Sequence, residues 1–301
     1  MTKKEYNKPA LTFEEQINKL KDRGLTIENE LKALHILQNI SYFRLSGYWY
    51  PFLQEPKSSH RFKEVASFEQ AFKLYCFDRE LRLLITGELE KIEIAVRTQL
   101  IYQMSHYKGA HWFQDELLFR NKNKLNATLD KMTGEYKKSD EIFISSFKNN
   151  YSNDLPPSWI LLEVVSFGKL SNLYSNIKPG RTKRNIARCF GLDDETFTSW
   201  LHSFSYIRNI CAHHARLWNK TLSISPKIPL TPVNQFISSD DGIWKNNKPA
   251  FGLSMILYLL NIINPNHKFK EKLFSLFNKY PDIDTFAMGF PNNWKTQQLW
   301  L

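Results

Sequence analysis

The run Arg208-Asn209-Ile210-Cys211-Ala212-His213, continued by His214-Ala215-Arg216-Leu217-Trp218-Asn219, sets a permanent cation, an amide and an imidazole within two helical turns. A guanidinium presents a rigid fork of donors that fits a phosphate. An imidazole takes and returns a proton near neutrality. Together these groups suffice, in principle, to cleave RNA without a metal. His213 would serve as general base or acid, and Arg208 would stabilise charge gathering on the phosphate oxygens. Asn209 would orient the imidazole or bind a phosphate. The bland alternative is a pair of solvated surface residues, since Arg-x4-His by itself is a weak pattern.

The segment that positions these groups reads as a helix. Asp193-Asp194 suit its N-terminus, where the helix dipole favours negative charge. Phe197, Trp200, Phe204, Ile207, Cys211, His214 and Trp218 mark one apolar face, so the helix is predicted to run to about Trp218. His214 is then expected on the buried side, in a structural hydrogen bond. His213 would share a face with Tyr206, Asn209 and Arg216, and sit about 140° around the helix from Arg208. Small Ser205 and Ala212 lie between, a floor open to a groove or to a second copy of the helix. Tyr206, His214 and Arg216 are read as supporting residues. Glu163, set inside Trp159 to Phe167, is the acid expected to be buried and to pair with Arg208 or a neighbour on that helix; the alternative is an exposed helix edge.

Elsewhere helix signals dominate, so the fold class is all-α. Thr12 with Glu15 is a capping box for a helix to about Arg23, stopped at Gly24. A second helix follows Thr26 and reaches about Asn39. The aromatic stretch Ile40 to Phe52 is read mainly as core packing around a turn at Gly47, and secondarily as a contact surface or base-stacking platform. From Phe68 to Met104 apolar residues recur every three or four positions, which predicts one long helix or two collinear ones. Its outer side is expected to carry Arg79, Arg82, Glu90, Glu93 and Arg97, the last two spaced i,i+4. A polar basic helix is predicted around Arg120 to Lys138, then an apolar segment Trp159 to Tyr174. Two C-terminal helices are predicted, Phe251 to Ile263 and Lys268 to Lys279. The domain reading is a helical hairpin and aromatic linker over 1–55, followed by a helical domain over 56–301.

The chain has 301 residues with 41 Lys+Arg against 30 Asp+Glu, a balance that favours a polyanionic partner. Lys178, Arg181, Lys183, Arg184 and Arg188 concentrate charge without an acid among them and are the candidate RNA contacts. Cys76, Cys189 and Cys211 are too far apart for a zinc pair and odd in number, which suits a reducing cytoplasm. Met1 to Phe13 lacks the apolar core of a signal peptide, and the longest apolar run falls short of the roughly 20 residues that span a bilayer. A cytoplasmic protein without membrane contact is expected. No Gly-rich phosphate loop and no credible metal cluster is visible, so neither cofactor nor metal is expected.

Five stretches carry a family resemblance: LTFEEQINKLKDRGL from Leu11, ISYFRLSGYWYPF from Ile40, FDRELRLLITGELEKIEIAVRTQL from Phe77, PPSWILLEVVSFGKLSNLY from Pro156 and FSYIRNICAHHARLWN from Phe204. In these the sequence resembles the Abi-like family, the bacterial abortive-infection proteins grouped as AbiD/AbiF. The last stretch also resembles the signature of the HEPN superfamily of α-helical ribonucleases, R-x4–6-H with a polar residue after Arg. The resemblance implies a HEPN-like helical bundle with a small N-terminal helical hairpin. It also implies a metal-independent endoribonuclease or toxin used in phage defence, with Arg208, Asn209 and His213 at the motif positions. Two such motifs usually meet across a dimer. This chain holds one, because Arg97 to His106 is spaced too widely for a second, so a homodimer is implied. RNA is the implied partner, as substrate and as a regulatory noncoding RNA. The alternative is a non-catalytic RNA-binding module within a toxin–antitoxin or defence complex.

Overall fold

Sequence-local signals set most of the helices in the computed structural model, which describes residues 5–237 and 244–301. The Thr12–Glu15 capping box forms: Thr12 N–H donates to Glu15 Oε2 at 2.7 Å and Glu15 N–H to Thr12 Oγ1 at 3.2 Å. It opens α1 (Phe13–Asp22), and Gly24 at φ +89° follows its end. The second helix, α2 (Glu30–Asn39), starts later than the Thr26 signal, because Asn29 takes the cap by accepting from Lys32 N–H. Next come α3 (Tyr42–Trp49) and α4 (Phe68–Lys108), the latter a single helix over the whole periodic stretch. α5 (Lys122–Lys138) is the basic connecting helix, and α6 (Ile142–Asn150) was not read in the sequence. The apolar segment divides into α7 (Ser158–Leu161) and α8 (Phe167–Asn176). Then follow α9 (Arg181–Arg188), α10 (Asp194–Ala212), α11 (Pro249–Ile263) and α12 (Phe269–Lys279). Among the described residues there is no β-strand, only three isolated bridges, so the fold is all-α.

The chain divides into two compact units: one runs up to Glu80 and adds Leu276–Ile283, the other holds Leu81–Ser275 and Asp284–Leu301. The division falls inside α4, whereas the sequence reading drew its boundary at residue 55. In the first unit α1 and α2 bury Ile17, Leu20, Ala33, Ile36 and Leu37, and α3 turns Leu45, Tyr48 and Trp49 inward. The fully buried Asp78 carboxylate accepts the Tyr48 hydroxyl at 2.6 Å. The aromatic stretch is thus core on one side only. Phe43 and Tyr50 face outward.

The second unit is built on α10. Its Phe197 stacks on Phe190 and meets Tyr174 edge-on, while Trp200 meets Tyr258 of α11 and donates its indole N–H to Lys227 O at 2.9 Å. α11 is buried from Pro249 to Leu260, as its unbroken apolar sequence requires. Arg82, expected on the outer side of α4, is instead buried. No described helix is long and apolar enough to cross a membrane.

The turn into α10 is tightly specified. Gly191 sits at φ +67°, and a Cβ there would come within 2.7 Å of the Tyr258 hydroxyl, which itself donates to Gly191 O. Gly191→Ala is therefore expected to lower stability by roughly 2–4 kcal/mol, combining left-handed strain with overpacking. Urea denaturation reads this directly; a loss below half a kcal/mol would show that the turn relaxes freely.

Candidate functional site around Arg208

The motif helix is sunk into its unit along one face. Phe197, Trp200, Phe204, Ile207 and Cys211 are all buried, as the spacing predicts. α8 comes close on the next strip, where a Cβ on Gly168 would lie 3.1 Å from Ser205 Oγ. Ser205 is thus covered by α8, and the expected small-residue floor is half filled; Ala212 remains exposed.

The helix does not reach Trp218. It ends at Ala212, with His213 as C-cap and His214 at φ +54°. His214 N–H donates to Cys211 O and Ala215 N–H to Ile210 O, each at 3.0 Å. That pair of bonds is a Schellman ending, in which the residue after the cap turns left-handed. His214 takes the position usually held by Gly. It is consequently exposed, which corrects its expected place in the core. The heptad-like extrapolation failed because the chain leaves helical geometry one residue before it. Leu217 and Trp218 are buried through the turn that follows.

Arg208 is half-buried, and Asn209 and His213 are exposed. Among the described residues none of the three side chains makes a hydrogen bond or an ion pair. An electrostatic neighbour of Arg208 is Glu93 of α4, whose carboxyl feels both Arg97 and Arg208. Burial raises the Glu93 pKa above the ordinary carboxylate value, and the two guanidinium groups pull it part of the way back. Tyr206 places its hydroxyl 3.2 Å from Ser223 Oγ, so it braces the chain beyond the turn. Arg216 lies near Lys248, where burial, Lys245 and then Arg216 all depress the ammonium's pKa.

Glu163 does not pair with the motif helix. Its side chain is 49% exposed and its Oε2 lies 3.3 Å from Arg97 Nη1. Arg97 is the organiser that sequence reading passed over. Its Nη2 donates to Glu93 Oε1 at 2.8 Å and Val165 O at 3.0 Å, and its Nη1 donates to Glu163 O at 3.2 Å and to Glu163 Oε2. One guanidinium thereby ties α4 to the strap 163–165 that leads into α8. Three residues beyond Val165, Gly168 rests on Ser205, and Arg208 stands one turn further along α10. The i,i+4 spacing of Glu93 and Arg97 was legible; their shared neighbour was not.

The basic run separates into two environments. Lys178, Arg181, Arg184 and Arg188 are exposed. Lys183 is only 2% exposed, and its ammonium donates to Ile177 O at 3.0 Å and Ser175 O at 3.4 Å, 5.0 Å over the Tyr174 ring. It caps the C-terminal carbonyls of α8, which removes it from the candidate phosphate contacts. Arg120 and Lys124 are the cations whose charge acts on it. Arg120 N–H bonds Asn176 O and Lys178 N–H bonds Leu118 O, both at 2.8 Å, while Lys124 Nζ reaches Ser175 Oγ at 2.8 Å.

Burial, then the charge of Arg120, lowers the Lys183 pKa from 10.5 to about 8. Between those values the unfolded chain binds the extra proton, so stability gains with rising pH on this group's account. Lys183→Met is expected to lose that gain. The difference in unfolding free energy between parent and variant should shift in favour of the parent from pH 7.5 to pH 9.5. A constant difference would mean that Lys183 keeps its proton throughout.

Among the described residues no three His, Cys, Asp or Glu side chains stand together as a metal site. No curated protein and no solved structure matches the chain. The family model described as Abi-like protein matches residues 35–219, more than half of the sequence and the stretch that contains Arg97, Glu163, Arg208 and His213. The chain therefore belongs to the Abi-like protein family.

Proposed function

We propose that this protein is an endoribonuclease of the HEPN type that acts in abortive infection without a metal. Family membership supports the defence role. One observation carries the nuclease reading: Arg208, Asn209 and His213 side chains have no hydrogen-bonded or ion-paired role among the described residues, on a helix whose opposite side is fully buried. Polar side chains with no structural partner, beside a positive-φ turn, are available to a substrate.

In the proposed reaction the substrate's 2′-oxygen attacks the adjacent phosphorus and the bond to the 5′-oxygen breaks. His213 removes the 2′ proton or delivers one to the leaving 5′-oxygen, and Arg208 stabilises the non-bridging oxygens. The products are a 2′,3′-cyclic phosphate and a 5′-hydroxyl. Asn209 orients the scissile phosphate. A single chain holds one such motif, so a second copy of the motif helix supplies the complementary proton-transfer group. Exposed Lys178, Arg181, Arg184 and Arg188 hold the flanking backbone. A regulatory noncoding RNA would bind through the same charges.

Incubation with total RNA in EDTA, followed by end-group analysis, tests the reading. Cyclic phosphate ends lost in Arg208→Ala and His213→Ala support it. RNA that is shifted on a gel and never cut would replace it with the non-catalytic binding module.

A further inference from the structure

The first unit contains a cleft of about 650 Å³ between the segment leading into α1, the first turns of α3 and the chain from Leu53 to Phe62. Its lining has an unusual composition. Four rings at its surface, Tyr6, Phe13, Phe43 and Tyr50, are 80%, 38%, 87% and 51% exposed. Isolated exposed apolar residues are ordinary, but four converging on one concavity are not scatter. Phe43 stands on α3 beside a helix face fixed by buried Leu45, Tyr48 and Trp49, so its ring is presented by a rigid support.

The same cleft carries Lys8, Lys19, Arg23 and His60, and among the described residues that line it there is no Asp or Glu. None of those four has a carboxylate partner among the described residues. Arg23 is held in place by a neutral group, donating from Nη1 to the Tyr42 hydroxyl at 3.0 Å, while the Tyr42 ring meets Trp49 edge-on at 5.0 Å. Positive charge is therefore displayed toward the opening without internal neutralisation.

Flat apolar surface interleaved with unneutralised cations matches one polymer chemistry closely. A single-stranded nucleic acid alternates a stacking base with an anionic phosphate, and proteins bind it through aromatic platforms along a basic groove. An acidic peptide would use the cations and leave the rings wet. A double helix would hide the faces of its bases. We infer that this cleft is a second RNA-binding site, which takes a short single-stranded segment with bases on Phe43, Tyr50 and Tyr6 and phosphates on Lys8, Lys19 and Arg23. The inference rests on the reading of RNA as the partner and is independent of whether Arg208 and His213 cut it.

The test is fluorescence anisotropy of the full chain with a short, 2′-O-methylated single-stranded oligoribonucleotide that cannot be cleaved. Phe43→Ala and Tyr50→Ala are each expected to weaken binding about tenfold, with little dependence on base identity. Lys19→Ala is expected to reduce the steepness of the salt dependence. Both rings are solvent-facing, so thermal melting should match the parent. Unchanged affinity in both aromatic variants overturns the proposal, and so does equal competition by a duplex RNA or by polyglutamate. Failure of the nuclease reading would show differently, as cleavage unaffected by Arg208→Ala while the oligonucleotide still binds in a Phe43-dependent way.

Discussion

Arg208→Ala is expected to cut RNA at about one-hundredth to one-thousandth of the parent rate, the usual cost of removing one preorganised donor from a developing oxyanion. His213→Ala should lose a comparable or larger factor, about 10²–10⁴, the usual contribution of a positioned general acid or base. The two losses should not add, since both groups serve one transition state. Arg208→Lys is expected to recover little: an ammonium keeps the charge and loses the planar fork that spans two phosphate oxygens. The same variants should melt with the parent, because Arg208 and His213 side chains hold no hydrogen bond among the described residues. A drop in activity accompanied by an equal drop in stability would count against a chemical role. Parent-like cleavage by both variants would remove the motif from consideration.

Arg97→Met should produce the largest loss of stability among substitutions near the motif, about 3–5 kcal/mol. The side chain is 12% exposed and serves four acceptors on two segments, so its removal strands the Val165 and Glu163 carbonyls and leaves Glu93, 15% exposed, without its hydrogen-bonded cation. Leaving the part-buried Val165 carbonyl and Glu93 carboxylate unpaired costs more than an intact bond contributes, which is why the expected effect is large. Glu93→Gln alone should be milder, since an amide still accepts from Arg97. Combined with Arg97→Met it should recover part of the loss, because no buried charge is then left alone. Chemical denaturation of the four proteins in this cycle measures the coupling. A loss below about 1 kcal/mol for Arg97→Met would show that the strap 163–165 is held by other contacts. Activity should fall as well: with Arg97 gone, Arg208 remains as the guanidinium that acts on Glu93 and would be drawn away from a phosphate.

Some readings from sequence failed for reasons that individual residues make plain. The face pattern through Cys211 held because Phe197, Trp200, Phe204 and Ile207 lie within continuous helix. It broke at His214, since a Schellman ending depends on backbone bonds from His214 and Ala215 that no periodicity reports. Lys183 looked like its neighbours in the basic run, yet Arg181, Arg184 and Arg188 share the exposed face of an eight-residue helix at i+3 and i+4 spacing, while Lys183, one position and about 100° away, meets the carbonyls of α8. Glu163 was identified as a pairing acid, and the partner proved to be Arg97, 66 positions away.

By itself the sequence determined the all-α class, the cap of α1, the approximate extents of α1, α11 and α12, the helical periodicity of α4, and the placement of Arg208 and Asn209 on the helix that follows Asp193-Asp194. These follow from interactions within a few residues, in which spacing and side-chain type already contain the energy. Only the tertiary structure decided which charges face solvent, which helix supplies a neighbour to Arg208, and that aromatic residues of α3 divide between core and an open basic cleft. Those outcomes depend on burial and on contacts between segments far apart in the chain, where desolvation rather than local propensity selects the partner.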